Sequence, residues 1–173
     1  MIPPGAGPDR DGAGGAEVLS LHASTLVVGE AGILIRGPSG AGKTRLALGL
    51  VAQARLAGGF ARLVADDRTL VVRHRDRLVA RPHPAVAGLV ERRGLGIEAV
   101  EHEPACVLDL AVDLVEGWPD RLPEPAARRC EIARVVLSRL AVAAGASTPD
   151  AVALILAGLA ATTRTAWTGG RRS

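Results

Sequence analysis

One octapeptide constrains this chain more than any other feature, because it fits the phosphate-binding loop pattern G-x-x-x-x-G-K-S/T. The octapeptide consists of Gly37, Pro38, Ser39, Gly40, Ala41, Gly42, Lys43 and Thr44. A loop of this kind follows a buried strand and opens a helix. A short apolar run at 31–36, which ends in Arg36, precedes it here, and residues 44–57 follow it with apolar side chains at helical spacing. The sequence therefore predicts an α/β fold with a phosphate site at this strand–helix junction.

Lys43 is the one lysine in the chain, and the other 20 basic residues are arginines. Arginine is a planar fork, whereas lysine is a compact point charge on a flexible stem. A loop of backbone N–H groups around phosphate needs the second kind of cation, which reaches the β- and γ-oxygens. The loop amides, the helix N-terminus and Mg²⁺ held by Thr44 would together form a triphosphate site.

The composition suits one domain with an aliphatic core. The chain has 173 residues, of which 48% are hydrophobic and 2% aromatic. The net charge of +3 is compatible with nucleic-acid binding, but no block of five basic residues occurs. Because one Phe, two Trp and no Tyr leave almost no platform for base stacking, we expect no nucleic-acid partner.

The remaining composition indicates a reduced, cytoplasmic protein without a membrane segment. Cys106 and Cys130 form no C-x-x-C motif, and the four histidines show no metal-ligand spacing, which argues against a zinc site. The first fifteen residues lack the apolar region of a signal peptide. The longest apolar run, 151–161, is too short to span a bilayer.

We divide the chain into flexible tails at 1–16 and 162–173 and one domain at 17–161. A weaker helix is predicted at 85–92, and a longer one at 148–161 with Thr148 as its N-cap and Pro149 at its first position. The predicted strands are 18–22, 26–28, 32–36, 62–65, 69–73, 77–80, 97–100, 105–115 and 130–137.

Two strand ends could supply the carboxylate that a phosphoryl-transfer site needs. Asp66 and Asp67 end a strand about twenty residues beyond the loop. Asp109 and Asp113 lie within an alternating strand, and this pattern places both on one solvated face. We favour the first pair as the source of this carboxylate. The alternative for this pair is a purely structural role, as the two acidic residues that start a turn.

Four motifs in order resemble the catalytic domain of HPr kinase/phosphorylase, a bacterial enzyme that acts on a serine of the phosphocarrier HPr. They are His22, the loop 37–44, the pair Asp66–Asp67, and residues 89–97, which read LVERRGLGI. The family has a histidine before a G-x-S-G-x-G-K-S/T loop, an Asp–Asp pair after it and a signature near L-x-E-x-R-G-x-G-I. The resemblance covers roughly residues 17–160 and implies a P-loop fold with a mixed central sheet, like HPr kinase and phosphoenolpyruvate carboxykinase.

The resemblance also implies roles for these residues. Lys43 would hold the β- and γ-phosphates of ATP, and Thr44 and Glu91 would contribute to Mg²⁺ binding. Asp67 would take the proton of the acceptor serine and return one in phosphorolysis, supported by His22 and Asp66. The signature residues are Glu91, Arg93, Gly94 and Gly96. The implied partner is an HPr-like phosphocarrier, and family members are typically homo-oligomers, commonly hexamers.

The chain departs from the family pattern at several positions. It resembles a short form without the N-terminal domain of longer members, and Arg45 stands where the family commonly has Glu. In the family, arginines late in the chain matter for catalysis. Four arginines of this chain are candidates for the same role, namely Arg128, Arg129, Arg134 and Arg139. These departures leave two alternatives open. One is a P-loop kinase of a small-metabolite hydroxyl, and the other is a non-catalytic ATP-binding sensor.

Overall fold

The computed structural model describes residues 17–92 and 94–168, with side chains described as far as residue 161. The helices in this part are α1 (Lys43–Leu56) and α2 (Thr148–Thr168), and short 3₁₀ turns cover Pro84–Val86 and Pro125–Arg128. The strands are β1 (Val18–Leu21), β2 (Ala23–Val28), β3 (Ala31–Arg36), β4 (Ala61–Ala65), β5 (Thr69–His74), β6 (Arg77–Pro82), β7 (Leu89–Arg92), β8 (Gly96–Ala99), β9 (Cys106–Val115), β10 (Arg129–Ile132) and β11 (Val135–Ala143).

Nine of the described strands form one mixed sheet, as the family resemblance implies. Its order is β1-β5-β6-β9-β3-β2-β4, with β11 beside the later half of β9 and β10 beside β11. Strands β3 and β11 run parallel to β9, and the other pairs are antiparallel. Strands β7 and β8 form a separate antiparallel hairpin. The carboxyl ends of β3 and β9 meet at one edge of the sheet, where the loop 37–42 begins.

The two helices pack on one face of the sheet and form its main core. Leu46 and Leu50 of α1 and Ile155 of α2 lie against Ile33 and Ile35 of β3, and all five side chains are buried. Side chains on the opposite face form a second core, which includes Ala23, Leu34, Val71, Leu78 and Leu108. Within the described residues, neither helix has the length and apolar character needed to cross a membrane.

The predicted strands other than 130–137 are confirmed, with shifts of up to three residues at their ends. The strands predicted at 69–73 and 77–80 are β5 and β6, which form an antiparallel hairpin paired up to His74 and Arg77. Helix α2 extends to Thr168, beyond the predicted end at 161. The predicted tail at 1–16 lies outside the described residues.

The helix predicted at 85–92 is wrong. This segment is a 3₁₀ turn followed by strand β7, which begins at Leu89. Gly88 separates the two with a φ of 70°, and a Cβ at this position would lie 2.6 Å from the His102 ring. Because Gly88 has a left-handed backbone and lies close to His102, the turn ends there. The residues after it pair with β8 and do not continue as a helix.

The single strand predicted at 130–137 is two strands. Ala133 and Arg134 both have positive φ, at 47° and 63°, and form a two-residue turn between the paired residues Ile132 and Val135. Turns of this kind usually contain Asn or Gly. The sequence offers neither here, and the apolar pattern therefore indicates one continuous strand.

The N-cap of α2 is Ser147 and not Thr148. The Ser147 hydroxyl accepts a hydrogen bond from the Asp150 backbone N–H at 3.3 Å and donates one to the Asp150 carboxylate at 2.5 Å. A serine hydroxyl that accepts from the backbone N–H three residues later is the usual N-cap contact. Thr148 is therefore the first helical residue and Pro149 the second.

Both cysteines are free thiols, as the sequence predicts. Burial, with a smaller contribution from the neighbouring Asp109 carboxylate, raises the pKa of Cys106 to about 12. Since a thiol with so high a pKa is hardly ionised at neutral pH, Cys106 is a packing residue and a weak nucleophile.

The expectation of a solvated face for the β9 acids is confirmed for Asp109 and wrong for Asp113. Asp109 is exposed and accepts a hydrogen bond from the Gly32 N–H. The Asp113 side chain is 17% exposed and lies between two arginines. Arg36 donates to both of its oxygens at 2.7 and 2.9 Å, and Arg139 donates to one at 2.5 Å. Burial would raise the pKa of Asp113, but the hydrogen bonds from Arg36 and Arg139 outweigh burial and lower it.

We predict that Asp113→Asn lowers the free energy of unfolding at pH 7 by about 2 kcal/mol, because two part-buried arginines lose their counter-charge. A carboxylate whose pKa is lowered by folding stabilises the fold at pH values above its pKa in the unfolded chain, which is about 3.9 for Asp. This stabilisation is lost as the pH falls through the pKa of the folded state. Urea unfolding should therefore show a constant difference between wild type and variant from pH 5 to 8, which shrinks below about pH 4.

Asp109→Asn is the matched control, because asparagine keeps an oxygen for the Gly32 N–H. It should change the free energy of unfolding by less than about 0.5 kcal/mol at pH 7. An Asp113→Asn difference that stays the same down to pH 2 would contradict the assignment to this carboxylate.

Candidate active site

The loop of residues 37–42 connects β3 to α1 and is fixed at both ends. At its start, a Cβ on Gly37 would lie 2.8 Å from the Leu114 Cβ of β9. At its end, Gly42 has a φ of 92° directly before the first helical residue, Lys43. Glycine is the residue that readily allows the close contact at position 37 and the positive φ at position 42. The backbone therefore explains why the motif has glycine at these two positions.

Lys43 is 6% exposed, and three acceptors surround its ammonium group. It donates to the Gly37 carbonyl at 3.1 Å, to the Pro38 carbonyl at 3.0 Å and to His22 Nε2 at 3.0 Å. An ammonium group has three donors and no acceptor. All three donors are therefore used within the protein, and a bound phosphate has to replace at least one of these partners.

His22 joins Lys43 to Asp67. Because Lys43 can only donate, His22 Nε2 has to accept, and the ring proton is assigned to Nδ1. His22 Nδ1 lies 3.0 Å from an Asp67 oxygen, to which it donates. The Asp67 side chain is 76% exposed and its backbone has a φ of 62°. The left-handed backbone turns this carboxylate away from the sheet and towards the cleft.

Asp66 has a different environment from its neighbour. It is 5% exposed, and both of its oxygens lie near Thr44 Oγ1, at 2.9 and 3.0 Å. The hydroxyl of Ser24 in β2 donates to Asp66 Oδ1 at 2.6 Å. Two adjacent carboxylates therefore have separate positions, one buried beneath the loop and one in the open cleft.

These groups line a cleft of about 910 Å³ between the loop, α1 and the β7–β8 hairpin. Apolar side chains, including Leu48, Leu89 and Ile97, line it together with the polar ones. The predicted site residues that the structure brings together here are His22, Ser39, Gly40, Gly42, Lys43, Thr44, Asp66, Asp67 and Glu91.

The remaining predicted residues have other positions. Gly94 lies in the turn between β7 and β8, Gly96 is the first residue of β8, and Arg93 is outside the described residues. The lining of this cleft includes none of the four late arginines, as far as the structure describes the chain. Arg128 donates to the Pro123 carbonyl and Arg139 to Asp113, which gives both a structural role.

Two further residues belong to the site. Arg45 lines the cleft beside the loop, where the sequence marks it only as a departure from the family pattern. Ser24 contacts Asp66 from within the sheet. The sequence carries little signal for Ser24, because the predicted strand begins two residues later.

The oxygen donors at the site fit a magnesium ion. Thr44 and Glu91 line the same cleft, and hydroxyl and carboxylate oxygens are ligands that Mg²⁺ accepts. No cluster of three or more His, Cys, Asp or Glu side chains able to hold a metal occurs in the described part of the chain.

A known protein family matches more than half of the chain. Residues 15–103 match the HPr Serine kinase C-terminal domain family. Over 76 residues the chain is 34% identical to the HPr kinase/phosphorylase of Mycoplasma mycoides subsp. mycoides SC. The aligned residues make up 44% of this chain and 22% of that protein. The chain thus spans about a fifth of the length of this curated relative.

A solved structure shows the same fold. The HPr(Ser) kinase/phosphatase from Coxiella burnetii aligns with a TM-score of 0.63 and 22% identity, covering 87% of this chain and 99% of that one. The predicted P-loop fold with a mixed central sheet is confirmed by this likeness. Since the family match covers more than half of the chain, this protein belongs to the HPr serine kinase C-terminal domain family.

Proposed function

We propose that this chain transfers the γ-phosphoryl group of ATP to a serine of an HPr-like phosphocarrier protein. The observation that carries the proposal is the hydrogen-bonded series Lys43–His22–Asp67. It connects the one lysine, at the phosphate-binding loop, to an exposed carboxylate in the same cleft. A phosphate-binding cation and a proton acceptor therefore lie on opposite sides of one imidazole ring.

Binding of ATP begins with an exchange of partners at Lys43. The ammonium gives up at least one of its present acceptors for a β- or γ-oxygen, while loop N–H groups and the N-terminus of α1 face the phosphates. Thr44 and Glu91 would hold Mg²⁺, which neutralises charge on the β- and γ-phosphates when bound. Asp66 keeps Thr44 in place from the buried side.

The transfer step uses Asp67 as the proton acceptor. The serine oxygen attacks the γ-phosphorus, an O–P bond forms, the bond to the β,γ-bridging oxygen breaks, and ADP leaves. The serine proton passes to the Asp67 carboxylate, which is exposed to the cleft. In the reverse phosphorylase reaction, inorganic phosphate would attack phosphoserine to form pyrophosphate, and Asp67 would return a proton to the serine oxygen.

Arg45 supports one alternative acceptor. Its exposed side chain lines the cleft next to the loop, so an acceptor with an anionic group of its own would meet a second cation there. A kinase of a small-metabolite hydroxyl would use this residue. The protein acceptor remains the better proposal, because the family match extends over the loop, the acidic pair and the signature segment.

The proposal implies a setting for the protein. A phosphocarrier acceptor and ATP would meet this chain in the cytoplasm. Homo-oligomerisation, with a hexamer as in the family, stays a prediction that light scattering would test.

We predict that the chain, with Mg²⁺ and γ-labelled ATP, phosphorylates a serine on one member of a panel of HPr-like phosphocarriers. Asp67→Asn should reduce the rate at least about 10²-fold, because the proton acceptor is lost. Mass spectrometry of the carrier locates the phosphoserine. Asp76→Asn, at the exposed turn between β5 and β6, is the matched control and should retain the full rate.

The other outcomes separate the alternatives. Turnover of ATP that a metabolite stimulates and no phosphocarrier does would favour the small-molecule kinase. Tight ATP binding without turnover for any acceptor would indicate a sensor. Full activity of Asp67→Asn would show that another group takes the proton.

We also predict that His22→Ala lowers kcat about 10²-fold and changes the Kd for ATP much less. Lys43 retains two carbonyl acceptors in this variant, whereas Asp67 loses the group that orients it. Steady-state kinetics and equilibrium binding measure the two quantities. His74→Ala, on the exposed end of β5, should match wild type in both, and an equal kcat for His22→Ala would refute its role.

A further inference from the structure

Ser24 is a polar residue at a position where the fold predicts an apolar one. It lies on β2 and is fully buried. Alternation along the strand places it on the same face as Leu26, which packs into the core beneath α1. A buried hydroxyl costs stability unless it is hydrogen-bonded. Its partner is the Asp66 carboxylate at 2.6 Å, so its position is explained by the site above it.

The contact from Ser24 determines which way the Asp66 carboxylate is rotated. Thr44 Oγ1 lies almost equally far from both Asp66 oxygens, at 2.9 and 3.0 Å, and does not distinguish between them. Ser24 contacts Oδ1 alone. The single hydroxyl proton of Ser24 therefore fixes the rotation, and the fixed carboxylate in turn orients the Thr44 hydroxyl.

We infer that Ser24 is a positioning residue, whose hydroxyl fixes Asp66 and thereby sets the affinity of the site for the divalent cation of the metal–nucleotide complex. The inference rests on the proposed function, in which Thr44 is a ligand of that cation. When Thr44 donates its proton to a fixed Asp66, the lone pairs of its oxygen are free to face the cleft. Removal of a group that contacts a metal ligand commonly changes metal affinity 10- to 100-fold. Because Ser24 acts on Thr44 through Asp66, we expect an effect at the lower end of this range.

The test compares Ser24→Ala with two other variants. Thr25→Val is the matched control, because Thr25 is the next residue, equally buried, and its hydroxyl contacts Thr69 and not Asp66. Ser24→Thr keeps the hydroxyl and tests for rescue. Urea unfolding confirms that each variant is folded at the assay temperature.

Two readouts are measured on the complete chain with a non-hydrolysable ATP analogue. Electron paramagnetic resonance titration gives the Kd for Mn²⁺ in the ternary complex, and binding of the analogue in excess EDTA gives the metal-free affinity. We expect Ser24→Ala to raise the Mn²⁺ Kd about tenfold and the metal-free Kd less than twofold. Thr25→Val should leave both within twofold of wild type, and Ser24→Thr should restore the wild-type Mn²⁺ Kd.

An unchanged Mn²⁺ Kd in Ser24→Ala, or an equal rise in Thr25→Val, would overturn the inference. The proposed function can be wrong while the inference holds. In that case Mn²⁺ and nucleotide bind, the Mn²⁺ Kd rises in Ser24→Ala, and no phosphocarrier is phosphorylated. If the wild-type chain binds no Mn²⁺ with the nucleotide, both proposals are wrong.

Discussion

The arrangement of the cleft depends on the hydrogen bonds of one buried ammonium group. Lys43 is almost completely removed from water, and a buried charge is tolerated only where hydrogen-bond acceptors surround it. Two of these acceptors are loop carbonyls and the third is His22. The same bonds shape the loop and connect it to the segment between β1 and β2. The orientation of His22 towards Asp67 then follows from the donor-only chemistry of lysine.

The two adjacent aspartates show how one dipeptide supplies two chemical environments. Strand β4 ends at Ala65, so Asp66 continues its direction into the space beneath the loop. Asp67 has a left-handed backbone and faces the cleft. The buried carboxylate has two hydroxyl partners, and the exposed one has an imidazole partner. This division fits a positioning role for the first and proton transfer for the second.

The parts of the fold that could be predicted are those in which local pattern and tertiary structure agree. Strand β3, the loop and α1 follow from an apolar run, glycine spacing and helical periodicity. The error at 85–92 arose because the close approach of Gly88 to His102 is a tertiary constraint. The missed turn at Ala133 and Arg134 uses positive φ without the usual residues. The order of the motifs indicates most residues of the candidate site. It does not indicate Ser24 or the pairing of Asp113 with Arg36 and Arg139, because both depend on contacts between residues far apart in the chain.

In the proposed mechanism, the site requires the point charge and the reach of a lysine at position 43, and not positive charge alone. The most direct measurement is the rate of phosphoserine formation on the phosphocarrier by Lys43→Arg. A planar guanidinium cannot place its donors as the ammonium does on Gly37, Pro38 and His22. We predict that the rate falls at least about 10²-fold, while the chain stays folded. A rate within a few-fold of wild type would show that positive charge alone is sufficient at this position.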